Sequence, residues 1–264
     1  MRSSIFSFLK FYFKAYSKYK IHSPFVYDFI ETVMEENKIF YSYMPIEYYR
    51  KQLQNNNNDV IVVNDLGAGS KKIKDNKRKV SQIAKNSLQN RKTSQLLFRL
   101  IDRYQCNNII ELGTSLGVTT AYLASAKKKG QIYSLEGCKE TLQIAERLSR
   151  KLGLTNITFI NGNFDNQLPI LLEKIDKIDF VYFDGNHTKE ATLRYFDMCK
   201  LKTHNESVFV FDDINWSEEM QRAWNQIKLD NRVTLTIDLY HIGLVFFHSV
   251  KIKSDFKLRN TLFF

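Results

Sequence analysis

The stretch Ile110-Glu111-Leu112-Gly113-Thr114-Ser115-Leu116-Gly117-Val118-Thr119-Thr120 decides the fold of this 264-residue chain. Its apolar part predicts a strand that ends at Leu112, a turn with two glycines and a helix that begins after Gly117. Ligands of open parallel sheets bind beyond the carboxyl ends of the strands. Gly113 lets a ligand lie against the backbone because it has no Cβ. A tight structural turn is the alternative. The predicted ligand-binding residues here are Glu111, which can accept from an ammonium group, Gly113, Thr114, Ser115 and Gly117.

The next two predicted strands also end in residues that could bind a ligand. Glu136 ends Tyr133-Ser134-Leu135-Glu136-Gly137, where an acidic side chain can accept both hydroxyls of a ribose. The glycine spacing is G-x-x-x-G rather than the G-x-G-x-x-G that pyrophosphate favours, yet Glu136 by itself fits either NAD or an S-adenosyl cofactor. At the third strand end, after Gly162, we expect Asn163 to bond an adenine edge and Phe164 to pack on its face. An exposed glutamate without a ligand is the alternative for Glu136.

Strands and helices alternate from residue 92 onward, which predicts an α/β fold with a doubly wound, mostly parallel sheet. The predicted strands include Asn108–Leu112, Gln131–Glu136, Ile157–Asn161, Ile178–Asp184 and Ser207–Asp212, and one of the predicted helices lies near Leu168–Lys174. The last two predicted strands, Val233–Leu239 and Gly243–His248, have only Tyr240, His241 and Ile242 between them. So short a connection cannot hold a crossover helix, so these strands form an antiparallel hairpin. We predict seven strands. We also predict two domains, a helical and aromatic cap with a basic loop over residues 1–90 and a ligand-binding domain over residues 91–264.

The sequence ELGTSLGVTTAYLA at residues 111–124, followed by YSLEG at residues 133–137, resembles the cation-dependent O-methyltransferases of the catechol and caffeoyl-coenzyme A type. The resemblance covers about residues 92–250, and the terminal hairpin is similar to that of the class I methyltransferase fold. It implies that the cofactor is S-adenosyl-L-methionine and that a methyl group is transferred to a hydroxyl oxygen of a small molecule.

In those families one strand ends in a metal-binding aspartate with a lysine base three residues later, and the following strand ends in Asp-Asn. This chain has Asp184-Gly185-Asn186-His187 and then Asp212-Asp213. The resemblance implies a metal site of Asp184, Asp212 and Asp213, with Asp184 also at the cofactor and at the reaction centre. Asp213 replaces the asparagine, as in the magnesium-dependent sugar O-methyltransferases. Those enzymes carry an acidic base where this chain has Asn186, and His187 stands at the position of the lysine, so the base and the acceptor are left open.

Elementary electrostatics also favours a cation at these strand ends. Neighbouring carboxylates repel one another unless a cation or protons neutralise them, and oxygen ligands suit Mg²⁺ or another divalent cation. His187 could take the proton of an acceptor near neutral pH. Alternatively, Asp212 and Asp213 cap the following helix or bind the methionyl ammonium, and His187 only bonds the backbone.

The formal net charge of +11 favours nucleic acid, anionic lipid or acidic substrates as partners without choosing among them. Much of the charge lies in the basic loop at residues 71–79, for which a solvated loop is the alternative. Gly67-Ala68-Gly69 has the glycine pattern of a ligand-binding turn, but no apolar helix follows it. We therefore interpret this segment as a loop of the cap. Apolar residues at helical spacing between Ile5 and Tyr19 either pack on the domain or lie on a membrane surface.

Three cysteines without CxxC spacing predict a reducing, cytoplasmic compartment, and no signal peptide is recognised. The leading prediction is an enzyme that methylates a small-molecule acceptor. The alternatives are a nucleic-acid methyltransferase, a nicotinamide-dependent oxidoreductase and a noncatalytic protein of the membrane surface. The sequence leaves open whether the protein is a monomer or a homodimer.

Overall fold

The computed structural model describes residues 5–63, 76–248 and 252–259. The predicted glycine turn at Gly67-Ala68-Gly69 and the lysines at positions 71, 72 and 74 lie outside these ranges. Within them the α-helices are α1 (Ile5–Lys14), α2 (Pro24–Phe29), α3 (Tyr43–Asn55), α4 (Val80–Asn86), α5 (Arg91–Tyr104), α6 (Val118–Ala126), α7 (Lys139–Lys151), α8 (Phe164–Lys174), α9 (Lys189–Cys199) and α10 (Glu218–Leu229). A π-helical segment, Ile30–Met34, continues α2, and short 3₁₀ segments occupy Lys18–Lys20 and Lys200–Lys202.

The strands form a small antiparallel pair and one large sheet. They are β1 (Val60–Val62), β2 (Lys77–Lys79), β3 (Asn108–Leu112), β4 (Gln131–Glu136), β5 (Ile157–Asn161), β6 (Ile178–Phe183), β7 (Thr203–Phe211), β8 (Leu235–Asp238), β9 (Gly243–Phe246) and β10 (Ser254–Lys257). The large sheet has the order β10-β8-β9-β7-β6-β3-β4-β5, and β1 pairs with β2.

The predicted fold class is confirmed, because helices alternate with a mostly parallel sheet that ends in a hairpin. The strand pairs β3–β4, β4–β5 and β6–β7 are parallel, whereas β9 runs antiparallel to both β7 and β8. The strand number differs from the prediction, since β10 adds an eighth strand parallel to β8. Its sequence, Ser254-Asp255-Phe256-Lys257, has no buried residue and therefore lacks the apolar run that reveals an interior strand.

Two compact units divide the chain, one of Asn37–Leu171 and one of Met1–Glu36 with Leu172–Phe264. In the first unit, β3 is buried at four of its five positions and β4 at three of its six. Helix α5 begins at a cap in which Asn90 accepts from the Thr93 amide at 2.9 Å. The aromatic residues Tyr43, Phe98 and Tyr122 join α3, α5 and α6 in one core cluster. The predicted domain boundary between residues 90 and 91 stays a prediction.

In the second unit, β6 is buried at all six positions, as expected for an interior strand with helices on both faces. Strand β7 begins at Thr203, four residues before its predicted start, because Thr203 pairs with Ile178 on β6 across a register shift. Helix α1 packs on the loop after β8, where Phe11, Ala15 and Tyr240 form a buried cluster. Among the helices of the described ranges, none combines the length and apolar character needed to cross a bilayer.

A buried polar cluster attaches α3 to α6 in the unit Asn37–Leu171. The Tyr122 hydroxyl donates to Glu47 Oε1 at 2.8 Å, and Arg50 Nε donates to the same oxygen at 2.9 Å. Arg50 also donates to the Gln89 carbonyl at 2.6 Å. The cluster satisfies an ionic pair that would be costly if left unpaired in the interior.

We expect Tyr122→Phe to lower the free energy of unfolding by about 1 kcal/mol, because it removes one hydrogen bond to a carboxylate that keeps Arg50 as a partner. Urea denaturation followed by circular dichroism measures the change. Tyr41→Phe is the matched control, since Tyr41 is 99% exposed. Equal stabilities of the two variants would contradict the role given to the Tyr122 hydroxyl.

Candidate functional site

The turn after β3 is folded as the glycine spacing predicts. Three of its residues have positive φ, with values of 111° at Gly113, 49° at Ser115 and 80° at Gly117. The amides of Gly113 and Thr114 both donate to the Leu135 carbonyl on β4, at 3.0 and 3.2 Å. These bonds fix the turn at the carboxyl ends of two neighbouring strands, which is where open sheets bind their ligands.

Gly117 is required by packing as well as by backbone conformation. A Cβ at this position would lie 2.5 Å from the Ala145 Cβ and 2.7 Å from the Ala145 Cα on α7. The space beside Gly117 is therefore filled by the neighbouring helix, which lets α6 begin close to α7. The predicted contact of Gly117 with a cofactor stays a prediction and would have to be made by its backbone.

Glu111 lies completely buried beneath the turn, with an exposed fraction of 0%. Its Oε2 accepts from the Thr120 hydroxyl at 2.5 Å and from the Ser134 hydroxyl at 2.6 Å. Its Oε1 is buried and has no hydrogen-bond partner among the described residues. Burial, reinforced by the charge of Glu136, raises the pKa of Glu111 to about 8 even though the two hydroxyls favour the ionised form. An unpaired buried oxygen of this kind fits a donor that arrives with a ligand, either an ammonium group or a bridging water.

Thr114 is buried on the same hydroxyl network, with its Oγ1 2.6 Å from the Ser134 Oγ. The network therefore links Thr114 of the turn to Glu111 of β3 through Ser134 of β4. Glu111 and Ser134 are partners in the strand register, so their side chains project from the same face of the sheet.

Glu136 holds the turn directly. Its Oε2 accepts from the Ser115 amide at 2.8 Å, and its Oε1 accepts from the Cys138 amide at 2.9 Å. A carboxylate has about four acceptor sites, so these two bonds leave capacity for the two hydroxyls of a ribose. The side chain is half-buried, and its orientation is fixed before any ligand arrives.

The third strand end has a structural role in addition to its predicted one. Asn163 Oδ1 accepts from the Asp165 amide at 2.8 Å, which makes Asn163 the cap of α8 and explains why the helix begins earlier than predicted. Gly162 has a φ of 143° and donates its amide to the Glu136 carbonyl at 2.9 Å. Phe164 is half-buried in the first turn of α8. Contacts of Gly162, Asn163 and Phe164 with adenine stay predictions.

The second unit brings Asp184 and Asp212 together at the ends of β6 and β7. Burial and the charge of Asp213 raise the pKa of Asp212 to about 7, while hydrogen bonding with Asp184 and Tyr182 opposes that shift. Within the parts of the chain that the structure describes, no group of three His, Cys, Asp or Glu side chains is arranged to hold a metal ion. The Asp184–Asp212 pair matches the oxygen chemistry of a divalent cation, and the predicted metal site with Asp213 stays a prediction.

His187 lies beside this pair, with its Nε2 3.8 Å from Asp184 Oδ1. That separation exceeds a direct hydrogen bond, so Asp184 influences His187 through its charge. The ring of His187 is 6.1 Å from the ring of Trp216, whose side chain is partly exposed. His187 is therefore close to an aromatic side chain and to Asp184, and its predicted role as a base stays a prediction.

The alternative that Asp212 and Asp213 cap the next helix is wrong. Ser217 is the cap of α10, and its hydroxyl accepts from the Met220 amide at 3.1 Å. Asp213 instead occupies a left-handed backbone conformation with a φ of 53°, and its carbonyl accepts from the Trp216 amide at 2.9 Å. Its carboxylate therefore has no part in starting the helix.

Several residues of the two sites were not among the sequence candidates. Thr120 and Ser134 donate hydrogen bonds to Glu111. The sequence does not single them out, because a threonine or serine that will be buried cannot be distinguished from an exposed one until the strand register is known. His241 is placed near Asp213 by the loop between β8 and β9, where burial lowers the His241 pKa and the charge of Asp213 raises it. Its distance along the chain from Asp213 hides this proximity.

A family model described as a methyltransferase domain matches residues 110–214, an interval that includes the glycine turn, Glu136 and the Asp184–Asp212 pair. This interval of the chain is therefore similar to a methyltransferase domain. The O-methyltransferase hkm8 of Aspergillus hancockii is similar to it, with 30% identity over 131 residues, 47% of this chain and 51% of that protein. The chain thus spans about half the length of this curated relative.

Two solved structures are similar to this chain in fold. The O-methyltransferase from Bacillus cereus in complex with SAH has a TM-score of 0.56 and 17% identity, with 84% of this chain and 96% of that chain covered. The SAH-bound Podospora anserina methyltransferase PaMTH1 has a TM-score of 0.59 and 11% identity, with 87% and 98% covered. At these identities the likeness shows the fold, which is the class I methyltransferase fold.

The raised pKa of Glu111 predicts a particular dependence of stability on pH. The folded protein keeps this proton up to about pH 8, whereas the ordinary glutamate value is 4.5. The contribution of Glu111 to stability is therefore complete below the ordinary value and is lost as the pH rises towards 8. The slope from this group is at most about 1.4 kcal/mol per pH unit.

We expect Glu111→Gln to flatten this decline, because glutamine cannot ionise. Urea unfolding at pH values between about 5 and 8 measures the slope for the unliganded protein. Glu173→Gln, at an exposed position on α8, should keep the slope of the unmodified protein. An unchanged slope in Glu111→Gln would show that Glu111 does not titrate in this window.

Proposed function

We propose that this protein transfers the methyl group of S-adenosyl-L-methionine to a hydroxyl oxygen of a small molecule. The observation that carries the proposal is the pairing of the glycine turn with the Glu136 carboxylate. Two backbone amides already orient Glu136, and the turn is held at the ends of β3 and β4. The methyltransferase match of residues 110–214 and the similarity to an O-methyltransferase support the same proposal.

The residues around the turn supply the complementary groups for this cofactor. Glu136 would accept the ribose hydroxyls, and the backbone at Gly113 would lie against the methionine part. Oε1 of Glu111, which lacks a hydrogen-bond partner among the described residues, would accept from the ammonium group or from a water bound to it. Asn163 has its amide nitrogen for the adenine edge, and Phe164 offers an apolar ring for the adenine face.

Binding of an ammonium group beside Glu111 would favour its ionised form, because an opposite charge lowers the pKa of a carboxyl. The pKa of Glu111 in the unliganded protein is about 8. Cofactor binding near neutral pH would then release a proton from this residue. Glu111 would thus carry its negative charge when an ammonium group is bound. The site would therefore bind a positively charged ligand more tightly than a neutral ligand of the same shape.

When bound, the cofactor supplies an electrophilic methyl group on a sulfonium centre, and the work left to the chain is positioning and removal of a proton. Holding the two reactants in line accounts for much of the acceleration in such reactions. His187 would accept the proton of the acceptor hydroxyl, and the charge of Asp184, 3.8 Å away, would stabilise the resulting imidazolium. Trp216 offers a partly exposed ring against which an acceptor could pack.

We further propose that Asp184 and Asp212, with Asp213 as a third ligand, hold a divalent cation such as Mg²⁺. The support is the contact of two carboxyl groups at strand ends and the oxygen-only donor set. A bound cation would lower the pKa of the acceptor hydroxyl. We also propose a reducing, cytoplasmic compartment, because the three cysteines, Cys106, Cys138 and Cys199, have no CxxC spacing.

Isothermal titration calorimetry with S-adenosylmethionine, its demethylated product and NAD tests the cofactor. We expect binding of the first two and none of NAD. Glu136→Gln should weaken binding of both by roughly tenfold or more, because hydrogen bonds to a charged group are lost. Glu146→Gln on α7 is the matched control and should bind normally. Binding of NAD alone would overturn the proposal.

The base and the metal are tested by methyl transfer from labelled cofactor to a panel of hydroxyl compounds. We expect His187→Ala to lower the rate at least about tenfold, since general bases contribute about 10²–10⁴. His204→Ala is the control, because His204 is the second residue of β7, roughly 25 Å along the strand from Asp212. We expect a chelator and Asp212→Ala each to abolish turnover. Full turnover both with chelator and in Asp212→Ala would show that the reaction does not require a metal ion.

A further inference from the structure

Helix α1 has an inner face that is firmly attached to the protein. The rings of Phe8 and Phe11 lie 5.0 and 5.2 Å from the ring of Tyr240, and Ala15 belongs to the same buried cluster. Arg259 Nε donates to the carbonyls of Tyr12 and Ala15 at 3.2 and 3.1 Å, which satisfies the end of the helix. The direction in which the opposite face points is therefore fixed by packing.

The opposite face of α1, which we call the outer face, consists of Leu9, Lys10, Phe13 and Lys14. Its apolar members, Leu9 and Phe13, are 45% and 76% exposed. Their spacing of four residues places them in one row along the helix. Tyr16, two residues after the helix ends, is 47% exposed. Tyr19 follows with 87% exposure. Single exposed apolar residues are ordinary, but a row of them beside a rim of charge marks an interaction surface.

The charged residues that are nearest this row along the chain are lysines. Lys10, Lys14 and Lys20 are exposed, and the first acidic residue of the chain is Asp28. Lys18 is bound to Glu31 and Glu35 at 3.0 and 2.8 Å, so these two carboxylates are directed to Lys18. The outer face therefore combines an aromatic and aliphatic row with exposed lysines.

We propose that the outer face of α1 binds the surface of an anionic lipid bilayer. A helix with lysines on its polar side and large apolar side chains beside them lies in the headgroup region, where the rings enter the acyl boundary and the ammonium groups meet lipid phosphates. The aliphatic Leu9 in line with Phe13 favours lipid over nucleic acid, because single strands are bound by stacking rings and gain little from an aliphatic side chain. This function is additional to methyl transfer.

Sedimentation of the full chain with vesicles tests the proposal. We expect binding to vesicles that contain phosphatidylserine and little binding to phosphatidylcholine alone. The double substitution Lys10→Gln and Lys14→Gln should lower the partition coefficient roughly 25-fold, about fivefold for each lysine. Phe13→Ser should lower it about tenfold or more through lost apolar burial.

Matched controls separate this surface from general charge and general exposure. Lys128→Gln with Lys129→Gln removes two other exposed lysines, and Tyr41→Ser changes a residue that is 99% exposed. Both controls should bind vesicles normally, and all variants should keep their affinity for S-adenosylmethionine. The proposal is overturned if the unmodified protein ignores anionic vesicles, if the controls weaken binding as much as the outer-face variants, or if the outer face binds an oligonucleotide instead.

Discussion

A carboxyl group buried beneath the glycine turn constrains the ligand site of this protein. Glu111 is removed from water, and only one of its two oxygens is satisfied, by Thr120 and Ser134. Burying an ionised carboxyl costs free energy, which is why burial raises the pKa of Glu111. A positively charged donor at Oε1 would offset that cost. Burial of Glu111 thus lowers the stability of the unliganded protein where the carboxyl is ionised, and the same burial would strengthen binding of a positively charged ligand.

The carboxylate of Glu136, unlike that of Glu111, binds backbone amides and so holds the turn in place. Its oxygens accept from the amides of Ser115 and Cys138, which holds the turn after β3 against the end of β4. Because these bonds come from the backbone, they depend little on the identity of the side chains in the turn. A ligand that bonds to Glu136 therefore finds its partner already oriented, and less conformational entropy is lost on binding.

The solved structures are similar to this chain in its overall fold, whereas the family model matches the interval that contains the candidate site. The solved structures share the fold at 17% and 11% identity, so the arrangement of strands tolerates extensive substitution. The family model covers residues 110–214, where the turn and the acidic strand ends lie. Backbone bonds support both places, since the Asp212 amide donates to the Phe183 carbonyl at 3.0 Å and the amides of Gly113 and Thr114 donate to the Leu135 carbonyl.

Much of the fold could be predicted because its signals are local. The strands β3, β4 and β5 have the predicted bounds, since an apolar run bounded by turn residues is read directly from neighbouring positions. The short link between β8 and β9 likewise determined an antiparallel pair. Strand β10 could not be predicted, because its edge position requires little apolar character and its pairing with β8 joins residues about 19 positions apart.

The candidate site divides in the same way. Sequence alone determined which strand ends carry Glu111, Glu136, Asp184 and Asp212, because the carboxyl ends of parallel strands are fixed by their order along the chain. Only the tertiary structure decided that Glu111 is buried with Ser134, that Glu136 binds the Ser115 amide, and that Ser217 rather than an aspartate caps α10. Burial and hydrogen-bond partners depend on residues brought together by packing, and that packing sets the charge state of each carboxyl.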